Sequence, residues 1–242
     1  MQATARHLMP IRPIRAVFLD LDDTIGCRPQ RVRAALAHVC SLLSRTDLDL
    51  DALVARTIDP LERGPAPDHV PALVRTEARF RAMIEELAPA DPAMLAVAEQ
   101  VFATDYSALC FFPEVEETLA HLADRYLLGI ISNAPARQMG KVTHLRLDRF
   151  VRHVTLSGVV GYEKPDPRIF AAALAEAGVR AGEAVFVGDR LNVDVAGAKT
   201  AGLWAVWCNH RGDPTIDGLP SPNITIDRFA ELPGALTTMA RP

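Results

Sequence analysis

A short apolar run that ends in a cluster of acids constrains this chain more than any other feature. The run extends from Ala16 to Leu19 and is followed at once by Asp20, Asp22 and Asp23. Apolar runs of this length, bounded by polar residues, are typical of buried strands in parallel sheets. Because ligands of such sheets bind outside the carboxyl ends of the strands, Asp20 and Asp22 are predicted to lie at the mouth of a site.

The close spacing of the three carboxylates itself indicates a site. Like charges this close repel one another, which is costly unless a cation or a shared proton relieves the repulsion. The alternative is an acidic surface turn after a strand, which is common. Two later apolar runs weaken that alternative because they also end in polar residues, at Ser132 and at Asp189. The acidic cluster is therefore a candidate metal site.

Size and charge limit what the chain can be. Its 242 residues, 49% of them hydrophobic, suffice for one large α/β domain or for a core domain with a smaller companion. The net charge is −4, and the arginines are dispersed among acidic residues rather than clustered. We therefore expect no nucleic-acid partner.

Cysteine usage and the lack of long apolar segments indicate the compartment. Cys27, Cys40, Cys110 and Cys208 lie far apart and form no CxxC pair. This argues against a disulfide framework and a cysteine zinc site, and it suits a reducing cytoplasm. Residues 1–15 lack the apolar segment of a signal peptide, and no stretch approaches the roughly 20 apolar residues of a membrane span. We expect a cytoplasmic protein with no membrane partner.

The chain that follows the acidic cluster is predicted to be helical over a long stretch. Four helical segments are predicted, at 29–43, 50–58, 70–87 and 91–109. The first carries apolar residues every three or four positions, the second is a shorter candidate, and the third has its apolar residues on one side. The fourth opens with Asp91 and Pro92, a typical helix start. Four helices in a row between two strands indicate an inserted helical module.

Helices and strands alternate in the rest of the chain. The predicted helices are 113–123, 137–145, 167–178 and 192–202, with a further one near the C-terminus. The predicted strands are 127–131, 151–156, 184–187, 203–208 and, as a short edge strand, 224–226. This alternation favours a doubly wound parallel sheet. In such a sheet the residues Asp20, Ser132 and Asp189 converge on one edge.

Four motifs occur in a fixed order: Asp20-Leu-Asp22-Asp23-Thr24, Ser132-Asn133, Lys164-Pro165, and Gly188-Asp189 through Asp194. With these motifs the chain resembles the haloacid dehalogenase-like hydrolases, in the subgroup that has a helical cap inserted after the first motif. The resemblance extends from about residue 15 to about residue 229. It implies an α/β fold with a doubly wound, Rossmann-like core domain (1–26 and 112–242) and an all-helical cap domain (27–111).

The resemblance also implies roles for the motif residues. Asp20 is expected to attack phosphorus and form an aspartyl-phosphate, and Asp22 to protonate the leaving oxygen and later activate water. Lys164 would offset the charge of the nucleophile and of the transition state. Ser132 and the backbone amide of Asn133 would hold a phosphoryl oxygen.

A magnesium ion is expected as the cofactor. Its ligands would be Asp20, Asp189, the backbone carbonyl of Asp22 and water, and Asp194 would brace this site from close by. These residues also have plainer alternatives. Asp189 could merely cap the following helix, and Lys164 could be an ordinary surface lysine.

Other functions remain open on this fold. A 2-haloacid dehalogenase of the family has a non-acidic residue at the position of Asp22 and needs no metal, so Asp22 and Asp189 favour phosphate ester hydrolysis. A phosphonate hydrolase would carry a cap lysine, and residues 27–110 contain none. A sugar phosphomutase shares the core residues and differs mainly in the cap. A non-catalytic binding protein is disfavoured because Asp20, Asp22, Lys164 and Asp189 are all present.

The expected substrate is a small phosphorylated metabolite that the cap encloses. Candidate cap contacts to a second anionic group of the substrate are Arg28, Arg31, Arg56 and Arg63. The cap is predicted to hinge near residues 25–28 and 110–113, where the chain enters and leaves it.

Overall fold

The computed structural model describes residues 13–58, 72–89 and 91–239 of the chain. Its strands are β1 Ala16–Leu19, β2 Leu127–Ser132, β3 His153–Leu156, β4 Ala184–Gly188, β5 Trp204–Cys208 and β6 Ile224–Ile226. They form one sheet in the order β3-β2-β1-β4-β5-β6, and every strand runs parallel to its neighbours. The predicted doubly wound parallel sheet is therefore confirmed.

Helices cover both faces of this sheet. Those of the described residues are α1 Arg28–Leu42, α2 Leu50–Thr57, α3 Ala72–Leu87, α4 Pro92–Thr104, α5 Val115–Ala123, α6 Met139–His144, α7 Ser157–Val160, α8 Pro167–Ala177, α9 Ala196–Thr200 and α10 Leu232–Met239. Val17 and Leu19 pack in a core with α5 and α10, whereas Ala16 and Phe18 pack with α8 and α9. This division follows from the alternation of side chains along a strand. The strand β1 is completely buried, which fixes the position of its carboxyl end.

Helices α1 to α4 occupy the chain between β1 and β2, as predicted. Among residues 27–58, 72–89 and 91–110, the structure contains no strand. These helices have a hydrophobic core of their own, in which the rings of Phe80 and Phe102 stack with centroids 4.4 Å apart. The assignment of 27–111 as a separate cap domain stays a prediction.

The helical segment leaves and rejoins the sheet region at neighbouring points. The backbone N–H of Cys27 donates to the carbonyl of Cys110 at 2.9 Å, and the N–H of Phe112 donates to the carbonyl of Ile25 at 3.1 Å. Both crossings lie where hinges are predicted, near 25–28 and 110–113.

Several element ends differ from the predicted ones for local reasons. The helix predicted to reach residue 109 ends at Thr104, because the Asp105 side chain accepts a hydrogen bond from the N–H of Ser107 and turns the chain. α5 begins at Val115 rather than at 113, because the preceding residue has a left-handed backbone. β3 begins at His153 rather than at 151. The predicted start of the third helix, residue 70, lies outside the described residues.

Two predicted helices are interrupted. The segment 137–145 forms a 3₁₀ turn at Ala136–Gln138 before α6. The segment 192–202 begins as a wide π-type turn, Leu191–Val195, and only then continues as α9. In this turn the carboxylate of Asp194 accepts a hydrogen bond from the N–H of Arg190 at 3.0 Å, which ties the side chain back toward the end of β4.

Two further observations concern membrane spans and cysteines. In residues 13–58, 72–89 and 91–239, no helix is long and apolar enough to cross a membrane. The four cysteines are free thiols. The cytoplasmic location stays a prediction.

Candidate active site

Three neighbouring strands bring polar residues to one edge of the sheet. β1 lies between β2 and β4, and the three strands are paired in register. Asp20 therefore follows β1 at the level where β2 ends in Ser132 and where Asp189 follows β4. The backbone N–H of Asp20 donates to the carbonyl of Val187 at 2.9 Å, so the residue is still tied to the sheet. The predicted convergence of these residues is confirmed.

One cavity of about 60 Å³ at this edge is lined by all seven residues predicted for the site. They are Asp20, Asp22, Ser132, Asn133, Lys164, Asp189 and Asp194. Arg28 and Arg31 of α1 and Phe102 of α4 also line it. The cavity therefore lies between the sheet and the inserted helices.

Lys164 lies between two carboxylates. Its Nζ is 2.6 Å from Asp20 Oδ1 and 2.8 Å from Asp194 Oδ1, and its side chain is 2% exposed. Burial alone would lower the pKa of this lysine, but the charges of Asp194 and Asp20 outweigh burial and raise the pKa. The two ion pairs therefore keep Lys164 protonated and hold its charge against Asp20.

Asp20, Asp189 and Asp194 form a buried acidic cluster. One carboxylate oxygen from each residue lies within 4.8 Å of the others. Burial, together with the charges of Asp194 and Asp189, raises the pKa of Asp20 to about 7, although Lys164 opposes the shift. A cation among these oxygens would relieve their repulsion, and carboxylate oxygens are the ligands that Mg²⁺ prefers. The donor set therefore fits a magnesium ion.

Further groups orient the carboxylates of this acidic cluster. The hydroxyl of Thr24 lies 3.5 Å from Asp20 Oδ2 and 3.4 Å from Asp189 Oδ1, as a donor to both. Arg211, in the segment after β5, donates to Asp189 Oδ2 at 2.5 Å, and Trp207 Nε1 donates to the carbonyl of Asp189 at 2.9 Å. Arg211 was not predicted as part of the site, because it lies on a segment without a motif.

The side chain of Asp22 has a partner of its own. Lys141 Nζ, on α6, donates to its two carboxylate oxygens at 2.7 and 2.5 Å. Burial alone would raise the pKa of Asp22, but the charges of Lys141 and Arg28 outweigh burial and lower the pKa. The sequence interpretation missed Lys141. A signal was present, since only three of the 26 basic residues are lysines, namely Lys141, Lys164 and Lys199.

The side chain of Asn133 holds the backbone of Lys164. Asn133 Nδ2 donates to the carbonyl of Lys164 at 2.8 Å, and the N–H of Lys164 donates to Asn133 Oδ1 at 2.7 Å. The sequence interpretation assigned a role only to the backbone amide of Asn133. The structure adds that its side chain joins the end of β2 to the loop that carries the buried lysine.

Substituting Asn133 tests this connection. We expect Asn133→Ala to lower the free energy of unfolding by about 1–3 kcal/mol, because both backbone groups of Lys164 lose their partner. Urea unfolding measures the change. Gln100→Ala, on the exposed face of α4, is the control and should change stability by less than about 0.5 kcal/mol. An equal effect of the two substitutions would contradict the connection.

The four candidate arginines of the helical segment have different surroundings. Arg28 pairs with the buried carboxylate of Asp23 at 2.7 Å. Arg31 is 4% exposed and donates to the carbonyls of Phe102 and Asp105. Arg56 pairs with Glu86 on the exposed surface. Arg63 lies outside the described residues. Of the four, Arg28 and Arg31 therefore line the small cavity.

A parallel sheet with carboxylates, a serine and a buried lysine at its carboxyl edge defines an α/β enzyme. The model of the haloacid dehalogenase-like hydrolase family matches residues 14–202. The chain therefore belongs to the haloacid dehalogenase-like hydrolases, as the four motifs predicted.

Three members of known name are similar to this chain. Glyceraldehyde 3-phosphate phosphatase from Pyrococcus furiosus is 31% identical over 204 residues, 81% of this chain and 81% of that protein. Phosphoserine phosphatase from Thermus thermophilus is 36% identical over 155 residues, 63% of this chain and 61% of that protein. The solved structure of a 2-haloacid dehalogenase from Pseudomonas syringae is 29% identical with a TM-score of 0.66, and the match covers 94% and 100% of the two chains.

Proposed function

We propose that this protein is a Mg²⁺-dependent phosphatase that hydrolyses a small phosphorylated metabolite through an aspartyl-phosphate on Asp20. One observation carries the proposal: a single cavity joins Asp20, its buried lysine and a second carboxylate, Asp22, to an oxygen-rich cation site. The enzyme is a phosphoric monoester hydrolase of the haloacid dehalogenase-like family. Its curated relatives in Pyrococcus and Thermus are named as phosphatases of small metabolites.

The proposed reaction takes place in two steps, and residues of the small cavity act in each of them. An oxygen of Asp20 attacks phosphorus and the bond to the leaving oxygen breaks, so that the phosphoryl group is carried on Asp20. Asp22 gives a proton to the leaving oxygen and then takes one from the water that attacks the aspartyl-phosphate. Ser132 and the backbone N–H of Asn133 hold a phosphoryl oxygen, and Lys164 offsets the charge that develops.

The acidic cluster supplies the ligands for the proposed metal. Asp20 and Asp189, with the backbone carbonyl of Asp22, would hold Mg²⁺, and Asp194 would support it from close by. In this position a bound ion would supply positive charge, which offsets the repulsion between the substrate phosphate and the carboxylate of Asp20.

A second, larger cavity offers room for the organic part of the substrate. Its volume is about 440 Å³, and it shares Asp23, Arg28, Asp189 and Arg190 with the small cavity. Small-molecule sites in proteins span roughly 300–1,000 Å³, so the volume suits a small metabolite. Val54 and Ala55 of α2 also line this cavity and would contact the organic part of the substrate.

Two other reactions are the main competitors. The 29% identical dehalogenase structure supports carbon–halogen hydrolysis as a second candidate. The acid at Asp22 and the metal ligand offered by Asp189 favour phosphate esters, because a metal-independent dehalogenase of the family has little use for either. A sugar phosphomutase would need the same core residues.

The direct test is the release of inorganic phosphate from a panel of phosphorylated metabolites. We expect Mg²⁺-dependent turnover, with one compound hydrolysed far faster than the rest. Chloroacetate and pairs of sugar-phosphate isomers belong in the same panel. Halide release, or isomer conversion without phosphate release, would replace the phosphatase proposal.

A further inference from the structure

Lys141 differs from an ordinary helix lysine in both burial and partner. Its side chain is 2% exposed, whereas lysines are almost never buried unless they are paired. It reaches Asp22, 119 positions earlier in the chain, and its Nζ contacts both carboxylate oxygens. Because this one ammonium group contacts both oxygens, it lies in front of the carboxylate and holds its direction as well as its position.

Each of the two carboxylates that are proposed to take part in the reaction, Asp20 and Asp22, contacts a buried lysine. Lys164 pairs with Asp20, and Lys141 pairs with Asp22. The carboxylate of Asp22 belongs to no metal-like cluster among the described residues, although Asp22 is only two positions from Asp20. The two lysines therefore keep the two carboxylates apart, one beside the cation site and one away from it.

Contacts from the inserted helical segment fix the helix that carries Lys141. Tyr106 lies so close to Gly140 that a Cβ there would come within 2.4 Å of Tyr106 Cε2. The Tyr106 hydroxyl donates to the carbonyl of Ala103 at 2.9 Å, and the guanidinium of Arg31 lies over the Tyr106 ring at 4.8 Å. The backbone next to Lys141 therefore packs directly against the helical segment that closes the site.

We propose that Lys141 is a positioning residue, which holds Asp22 toward the leaving group and away from the cation site. The inference rests on the proposed phosphatase function. Without Lys141, the carboxylate of Asp22 loses both contacts that fix its direction. The loss of the lysine charge by itself favours the protonated form of Asp22, but proton transfer to the leaving oxygen suffers because the acid is no longer held in line with it. Attack by Asp20 keeps its own lysine and is not affected.

Two esters of different leaving groups separate this role from a structural one. p-Nitrophenolate leaves as a stabilised anion and needs no proton, whereas an alkoxide leaving group does. We expect Lys141→Met to lower kcat/KM for the best alkyl phosphate of the panel by about 10²-fold and kcat/KM for p-nitrophenyl phosphate by less than about threefold. The comparison uses kcat/KM because this constant reports formation of the aspartyl-phosphate and not the later attack of water, which both esters share. Lys141→Arg should recover part of the loss, because it restores a two-point donor.

The control is Lys199→Met, which removes a lysine of α9 that contacts only the side chain of Asn223 among the hydrogen bonds described. It should leave both activities unchanged. If Lys141→Met lowers kcat/KM equally for both esters, the positioning role is overturned. Wild-type enzyme that hydrolyses neither ester would instead overturn the phosphatase proposal, and the role of Lys141 with it.

A double variant answers the case in which Lys141→Met fails to fold. Asp22→Asn with Lys141→Met removes both charges, so no buried carboxylate is left unpaired. Because Lys141 acts through Asp22, we expect this double variant to be as active toward the alkyl ester as Asp22→Asn alone, within about threefold. A further loss of tenfold or more in the double variant would overturn the proposal.

Discussion

Asp20→Asn is expected to lower turnover by at least about 10⁴-fold and to leave the protein folded. An amide of the same shape cannot attack phosphorus, so the step that forms the aspartyl-phosphate is lost. Folding should be retained, because the substitution also removes one of three mutually repelling buried carboxylates, although Lys164 loses one of its two partners.

Phosphate release and thermal unfolding measure the two parts of this result. Asp148→Asn replaces an exposed aspartate that lies outside the inserted helical segment, and it serves as the control for loss of a carboxylate. Turnover by Asp20→Asn close to the wild-type rate would remove Asp20 from the role of nucleophile.

Removal of the metal is expected to abolish activity reversibly. EDTA should reduce phosphate release to background, and excess Mg²⁺ should restore it, because substrate and nucleophile are both anionic. Mg²⁺ should also raise the melting temperature, since a ligand that binds only the folded state stabilises it.

The variant Asp189→Asn tests whether the metal binds at the acidic cluster. It should lose most of the Mg²⁺-dependent shift in melting temperature, because it removes one of the charges of the acidic cluster. Turnover that is unaffected by EDTA would favour the dehalogenase-type reaction instead.

The strand-end residues could be predicted because local pattern and topology act together there. Asp20, Ser132 and Asp189 each follow an apolar run, and a parallel sheet places the carboxyl ends of neighbouring strands side by side. Neither step needs knowledge of a distant contact. The helical segment was predictable for a similar reason, since its apolar residues recur at helical spacing over long windows.

Contacts between distant positions could not be predicted in this way. Lys141 lies on a six-residue helix, too short for a periodic pattern to show which side is buried. Its burial depends on a carboxylate 119 residues away. The link from the Asn133 side chain to Lys164 spans 31 residues and leaves no mark on local spacing. The scarcity of lysine was the one compositional signal, because arginine supplies nearly all other positive charge.

Backbone hydrogen bonds join the two crossings, where the helical segment leaves and rejoins the sheet region. Because Cys27 and Cys110 are hydrogen-bonded neighbours, the helical segment begins and ends at one point of the core. A block with adjacent ends can be exchanged, lengthened or shortened at little cost in loop-closure entropy and without rerouting a strand. We therefore expect the helical segment between these two crossings to be exchangeable: a different segment would accommodate a different leaving group, while the residues at the strand ends stay in place.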